Sequence, residues 1–253
     1  AFEMGRRMML LHYREAVGTG GFQAEVGGYS AIATASAAMY APAYRTAFGE
    51  ACSPFDDISH YVPRKMFAHV YGPEGKMSAQ DINGKPHASA ACFGILYPVV
   101  PDEWKPAVLW GWHRHAGVDG VDDPASAEKL LSSHAGHSHW NWIFSFVNYP
   151  LDVKPRPPQG ILPLSWQAPD FGFYAFRNKW GDGDDFVAQV FLKAHFIGGW
   201  NGPNGGTFRL IAPGCHRGRS ARGRRGARRG SRERYGARWA AASPKFAPRS
   251  ATR

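Results

Sequence analysis

Six prolines between positions 150 and 169 limit what this chain can fold into more than any other feature of its sequence. They stand at positions 150, 155, 157, 158, 163 and 169 of 253 residues. Proline removes a backbone donor and fixes φ near −65°, so no helix runs through such a stretch. The prolines therefore separate two portions that fold in different ways, and we interpret residues 150–165 as a proline-rich linker.

The portion before the prolines, residues 1–149, has the pattern of helices joined by short loops. Apolar residues recur at helical spacing in residues 2–16, and alanine dominates residues 26–41. Ser53 and Pro54, followed by two acids, are typical of a helix start. Further helices are predicted at residues 44–49, 64–70, 87–99, 102–113 and 125–131, and an aromatic segment follows at residues 140–147. Successive helical hairpins of this kind predict part of a helical bundle or of an (α/α) toroid.

The portion after the prolines, residues 166–214, has the pattern of an antiparallel sheet. Aromatic and β-branched runs of strand length occupy residues 171–177, 186–193 and 206–212. Turn-forming residues join the first two runs as an antiparallel pair. Three strands leave an aromatic face without a second layer, so an incomplete sheet or sandwich is expected. The fold class predicted for the whole chain is α+β.

The net charge of +10 comes from the end of the chain. Residues 216–253 hold twelve arginines and Lys245 against the single acid Glu233, which leaves 17 basic and 19 acidic residues in the rest. Because this segment is of low complexity, we expect residues 215–253 to be a disordered arginine-rich tail. Two interpretations stay open. The tail is either a basic arm that binds nucleic acid through phosphates, or a frameshift product that stands where further strands belong.

Composition and spacing exclude several classes of protein. Apolar residues make up 44% of the chain, which is too much core-forming material for a protein disordered throughout. The longest apolar stretches are too short to cross a bilayer, so no membrane partner is expected. Cys52, Cys92 and Cys215 lack the spacing of a zinc ribbon and are odd in number, which argues against a disulfide framework.

Two groups of histidines are candidates for a metal-binding site. His113 and His115 are two apart, which places them on different faces of a helix, whereas paired helical zinc ligands stand four apart. A second group at positions 134, 137 and 139 lies in a polar loop without an accompanying carboxylate pattern. A solvated loop is the simpler interpretation, and no metal or other cofactor is predicted.

The glycine-rich segment GGFQAEVGGY, residues 20–29, leads into the helix predicted at residues 26–41. Glycine has no Cβ and tolerates φ above zero, so this loop is expected to let a ligand approach the backbone closely. Tyr29 is expected in the first helical turn, with its side chain directed back toward the loop and toward the positive end of the helix dipole. Tyr29 is therefore a candidate contact for an anionic substrate. The alternative, a buried tyrosine bonded to the backbone, stays open.

The order of helical hairpins, proline linker and then FYAFRNKW at residues 173–180 resembles the heparinase II/III-like polysaccharide lyases. In that family an (α/α) toroid precedes antiparallel β-sheets. The segment GFQAEVGGY at residues 21–29 is similar to the helix entry that carries the catalytic tyrosine in alginate-lyase-like members. The similarity covers residues 1–212 and implies a secreted or periplasmic enzyme, although no signal peptide is visible.

The resemblance implies β-elimination at a uronic acid of an anionic polysaccharide. One group neutralises the sugar carboxylate, a base removes the adjacent proton, and an acid protonates the leaving glycosidic oxygen. A tyrosine serves both proton transfers if neighbouring cations lower its pKa from about 10 toward neutrality. The resemblance gives this role to Tyr29, and it makes Gln23, Glu25 and Arg177 candidate substrate contacts.

The chain also departs from the family pattern. Family members often carry a His-x-His-x-Asp motif in the sheet, whereas residues 200–208 read WNGPNGGTF. Zinc is not expected there, because imidazole and carboxylate ligands are missing. Trp200 and Asn201 are instead expected to contact a sugar by stacking and hydrogen bonding. In the family, the group that neutralises the carboxylate usually lies on a helix pair that precedes the catalytic tyrosine. Only 28 residues precede Tyr29 here, so we expect a fragment or a truncated gene product.

The function predicted from these observations is that of a polysaccharide lyase, truncated in this chain. A different class of function stays open as well, namely a noncatalytic carbohydrate-binding protein or a basic protein associated with nucleic acid. Trp104, Trp110 and Trp112 lie on one predicted helix and form either a platform for sugar stacking or part of the core.

Overall fold

The computed structural model describes residues 1–23, 39–49, 56–67, 69–71, 77–79, 91–132, 141–180, 185–193 and 205–212. All of them belong to one compact unit, residues 1–217. Helices predominate before residue 149, and a four-stranded antiparallel sheet follows them. The predicted α+β class is confirmed, whereas the (α/α) toroid stays a prediction.

The helices of the first portion are mostly short. They are α1 (Phe2–Ala16), α2 (Tyr40–Phe48), α3 (Asp56–Ser59), α4 (Tyr61–Phe67), α5 (Ala91–Leu96), α6 (Lys105–Ala116), α7 (Pro124–Ser132) and α8 (Asn141–Asn148). Helical turns of the 3₁₀ type, Tyr97–Val99 and Asp102–Trp104, lie between α5 and α6. Gly49 and Gly117 follow α2 and α6 with φ of 64° and 68°, the left-handed conformation that glycine adopts without strain.

One predicted helix is wrong at its C-terminal end. The helix expected at residues 64–70 stops at Phe67, and His69–Tyr71 (β3) pairs with Met77–Ala79 (β4) as an antiparallel hairpin. The hydrophobic pattern does not separate a strand from a helix over so few residues, and the glycine and proline that follow favour a hairpin turn as well as a helix end.

The sheet is an antiparallel meander in which neighbours along the chain are neighbours in space. Its strands are β5 (Ser165–Ala168), β6 (Phe173–Arg177), β7 (Val187–Phe191) and β8 (Thr207–Ile211), in that order. The three predicted strands are confirmed. Strand β5 is not predicted from the sequence, because it is four residues long and stands between two of the prolines that indicated a linker.

One face of this sheet packs against the helical portion. Trp166, Phe173, Val187 and Phe191 point inward and are buried. Phe22, which lies far earlier in the chain, stacks on Phe173 with ring centroids 4.6 Å apart and contacts Phe191 at 5.5 Å. The main hydrophobic core therefore forms between helices and sheet.

The proline-rich segment is packed against both portions. Leu162 is buried, and the backbone N–H of Arg156 donates to the carbonyl of Pro106 in α6 at 3.0 Å. The indole N–H of Trp180, just after β6, donates to the carbonyl of Pro163 at 3.2 Å. These contacts fix the position of β5 relative to α6, and that position creates the site described next.

Candidate functional site

The glycine-rich segment begins with a tight bend that is held by the protein itself. Val17–Gly18 (β1) pairs with Phe22–Gln23 (β2) around the 3₁₀ turn Thr19–Gly21. Gly20 and Gly21 have φ of 67° and 73°, so a side chain at either position is strained. A Cβ on Gly21 would lie 2.4 Å from the backbone nitrogen of Tyr61. At these two glycines the close approach that was expected of a ligand is made by other parts of the chain.

An open cleft of about 210 Å³ lies beside this bend, where the helical portion meets the sheet. Four segments contribute to it: the glycine bend, the junction between α3 and α4, the 3₁₀ turn before α6, and strand β5 with the proline before it. The lining residues are Gly20, His60, Trp104, Pro163, Ser165, Trp166 and Gln167.

Three aromatic rings form the wall of this cleft. The His60 ring lies 5.0 Å from that of Trp104 and 6.0 Å from that of Trp166, and the two indoles are 5.7 Å apart, measured between centroids. Trp166 is buried and its indole N–H donates to the carbonyl of Gly20 at 2.7 Å. Trp104 and His60 are half-buried, so part of each ring faces solvent.

Strand β5 borders the same cleft and carries polar residues on either side of Trp166. Ser165 and Gln167 are exposed and alternate with the buried Trp166 along the strand. Among the residues described as lining the cleft, none carries a fixed charge, and His60 is the titratable one. An uncharged aromatic wall that is open to solvent is suited to a ring that has one apolar face and polar substituents.

Arg177 lies inside the protein, away from this cleft. Its guanidinium is fully buried, 2.5 Å from the Asp185 carboxylate, and it also donates to the carbonyls of Phe67 and His69 at 3.2 Å each. It stacks on the Trp180 ring at 3.6 Å. Arg177 thus joins β6 to the end of α4 and to β3, and this position gives no support to its predicted role as a substrate contact.

The other predicted site residues fall largely outside the described part of the chain. Gln23 lies in β2, where its backbone pairs with Val17. Tyr29, Glu25, Trp200 and Asn201 are outside the described residues, and so is the tail predicted at residues 215–253. Their predicted roles therefore stay predictions.

The three tryptophans of the α6 region have different environments. Trp112 is fully buried and belongs to the core, and Trp110 is half-buried beside the Arg114 guanidinium at 5.4 Å. Trp104 borders the cleft. They therefore do not form a common platform. Trp166 completes the wall of the cleft. It was not predicted as a site residue, because it lies between two prolines in a stretch that was interpreted as the end of a linker.

The histidines of α6 are held by interior hydrogen bonds. His113 Nδ1 lies 3.2 Å from the carbonyl of Asp119 and its Nε2 lies 2.9 Å from the Tyr149 hydroxyl, so Nδ1 donates and Nε2 accepts. Burial lowers the pKa of His113, and it lowers the pKa of His115 to about 4. Both imidazoles are therefore neutral near pH 7.

Within the described ranges, no three His, Cys, Asp or Glu residues come together as a metal-binding group. The histidines at positions 134, 137 and 139 are outside those ranges. In the same part of the chain, no helix has the length and apolar character needed to span a bilayer.

Comparison of this chain with protein-family models, with curated proteins and with solved structures finds no match.

Proposed function

We propose that this chain binds a uronic-acid-containing polysaccharide in the aromatic cleft and is derived from a lyase that cleaves it by β-elimination. The observation that supports this most strongly is the open cleft beside Gly20, in which Trp104, Trp166 and His60 face a common space. The cleft adjoins the same glycine-rich segment that carries Tyr29 in the sequence.

The size and lining of the cleft favour a sugar ring. Its volume of about 210 Å³ is below the ~300–1,000 Å³ of sites for drug-sized ligands, which suits one monosaccharide unit of a longer chain. Sugars stack their C–H faces on indole rings and direct their hydroxyls away from those rings. Because the cleft is open on one side, a polymer can extend beyond it.

The proposed chemistry breaks one C–H and one C–O bond. A base takes the proton next to the uronate carboxyl group, the electron pair forms a C=C bond, and the glycosidic oxygen leaves and receives a proton. The family resemblance assigns both proton transfers to Tyr29. The described residues that line the cleft carry no fixed charge. The cation that neutralises the uronate carboxylate therefore comes from another part of the protein.

The first experiment tests for the reaction. The chain is mixed with alginate, glucuronan, ulvan and heparin-type polymers, and the absorbance of unsaturated uronate ends is followed. We expect the signal with one of these polymers and its loss in Tyr29→Phe. A lyase signal that Tyr29→Phe leaves unchanged would remove Tyr29 from the mechanism.

The second experiment tests the cleft by binding. Trp104→Ala is expected to weaken polysaccharide binding about tenfold, the loss expected when one stacking surface worth ~1.4 kcal/mol is removed. Trp110→Ala is the matched control, because Trp110 is also a half-buried tryptophan of the same region but does not line the cleft. Equal losses in both variants would show that the cleft is not the binding site.

Two results would favour the other classes of function. Binding at the cleft without unsaturated products from any polymer indicates a noncatalytic carbohydrate-binding protein. If no polysaccharide binds, and the chain binds DNA in a salt-sensitive way that deletion of residues 216–253 abolishes, the basic tail is the functional segment.

A further inference from the structure

The face of the sheet that points away from the helices is apolar and exposed. Along β6 and β7, buried residues alternate with half-buried or exposed ones, as expected when one face is more covered than the other. On the uncovered side Phe176 is 51% exposed, Phe208 74% and Leu210 64%. We call this surface the outer sheet face; its members are Tyr174, Phe176, Ala188, Val190, Phe208 and Leu210.

Strand register makes this surface continuous. Phe176 pairs with Ala188, which pairs with Leu210, and in the next row Tyr174 pairs with Val190, which pairs with Phe208. Directly opposed side chains in neighbouring strands lie about 4.5–5.5 Å apart. The two rows therefore form a single patch across three strands, and none of its six members carries a charge at pH 7.

The area of this patch is that of an interaction surface. Taking ~200 Å² for a whole phenylalanine side chain, the exposed fractions of Phe176 and Phe208 leave about 250 Å². Phe186, next to β7 and 44% exposed, and Leu210 add to it. The total of about 450 Å² is within the range of apolar patches that mark interaction sites. It is about half of the ~800 Å² that each partner contributes to a standard interface, which suits a weak, concentration-dependent association.

We propose that the outer sheet face is a self-association surface on which two copies of this chain pack sheet against sheet. A two-fold axis brings the same patch from both copies together, so a single self-complementary surface suffices. Sheets that pack face to face lie about 10 Å apart and interdigitate their side chains, which flat rows of Phe, Leu, Val and Tyr allow.

Because the patch is uncharged, a second copy of this chain fits it better than the basic tail of the same chain does. Residues 216–253 carry twelve arginines and Lys245, and burying such a segment against an uncharged apolar surface would strip water from its charges. An uncharged patch likewise offers nothing to attract a strongly charged partner. A second copy brings an equally apolar, equally uncharged surface.

The test measures the mass of the full chain in solution by sedimentation equilibrium over a wide concentration range. We expect a monomer–dimer equilibrium that high salt does not weaken, because apolar burial carries it. Phe208→Glu, which places a charge in the patch, is expected to raise the dimer dissociation constant about a hundredfold. Leu151→Glu is the matched control, because Leu151 is 89% exposed and lies outside the sheet. Circular dichroism confirms that each variant is folded.

Three results would overturn the proposal. The intact chain remains monomeric at every concentration, or Phe208→Glu and Leu151→Glu associate equally well. In the third case, association disappears at high salt or on deletion of residues 216–253, which assigns it to the basic tail. The first and third outcomes need no substitution and hold even if Phe208→Glu does not fold.

Discussion

Replacement of Arg177 by methionine is expected to destabilise the fold severely. The side chain donates to Asp185 and to the carbonyls of Phe67, His69 and Lys179, and both members of the ion pair are fully buried. Removing one partner of a buried pair costs about 3–5 kcal/mol, because the other charge stays buried without it. That is a large fraction of the ~5–15 kcal/mol by which native domains are stable.

The assay is urea unfolding followed by tryptophan fluorescence and by circular dichroism. With a slope of ~2–3 kcal/mol per molar urea, a loss of about 4 kcal/mol lowers the midpoint by about 1–2 M at unchanged slope. Arg177→Lys is expected to lose a substantial part of this stability as well, because an ammonium group does not reproduce the planar fork of donors.

A double-mutant cycle separates the ion pair from simple loss of packing. Arg177→Met combined with Asp185→Leu removes both charges, so the double variant is expected to lose less stability than the two single losses added together. Additive losses, or a loss below about 1 kcal/mol for Arg177→Met, would show that the pair does not hold the sheet to the helices.

Two further predictions concern the glycine bend and the histidines of α6. Gly21→Ala is expected to cost more than about 2 kcal/mol in urea unfolding, because φ is 73° and the new Cβ would lie 2.4 Å from the backbone nitrogen of Tyr61. Gly49→Ala, with φ of 64° and open space around the Cβ, is the control and should cost only about 1 kcal/mol; equal costs would contradict the packing argument. Because burial lowers the pKa of His115 to about 4 from an ordinary 6.5, the unfolded chain takes up a proton first as the pH falls, and stability present above pH 6.5 is lost progressively between about pH 6.5 and 4. Unfolding midpoints measured across this range should depend less on pH in His115→Gln than in the parent protein, and an unchanged dependence would show that His115 is not its source.

The candidate site could be predicted only in part. The sequence drew attention to the glycine-rich segment and to Trp104, since glycine clusters and aromatic helix faces are visible along the chain. It could not bring Gly20, Trp104 and Trp166 together, because the last two are 62 positions apart in the chain and their contact depends on how β5 packs. The buried position of Arg177 could not be predicted for the same reason, since a sequence motif does not show whether a guanidinium faces solvent or interior.

The sequence by itself determined that helices precede an antiparallel sheet and where the three longer strands of that sheet lie, because these features depend on local signals. Prolines at residues 150–169 exclude a helix there, and the aromatic runs that follow give strands β6, β7 and β8. Only the tertiary structure decided which surfaces meet and which stay open. Burial is a property of contacts between distant segments, so it alone shows that one sheet face covers the core while the other remains exposed, and that a cleft is left where the glycine bend meets β5.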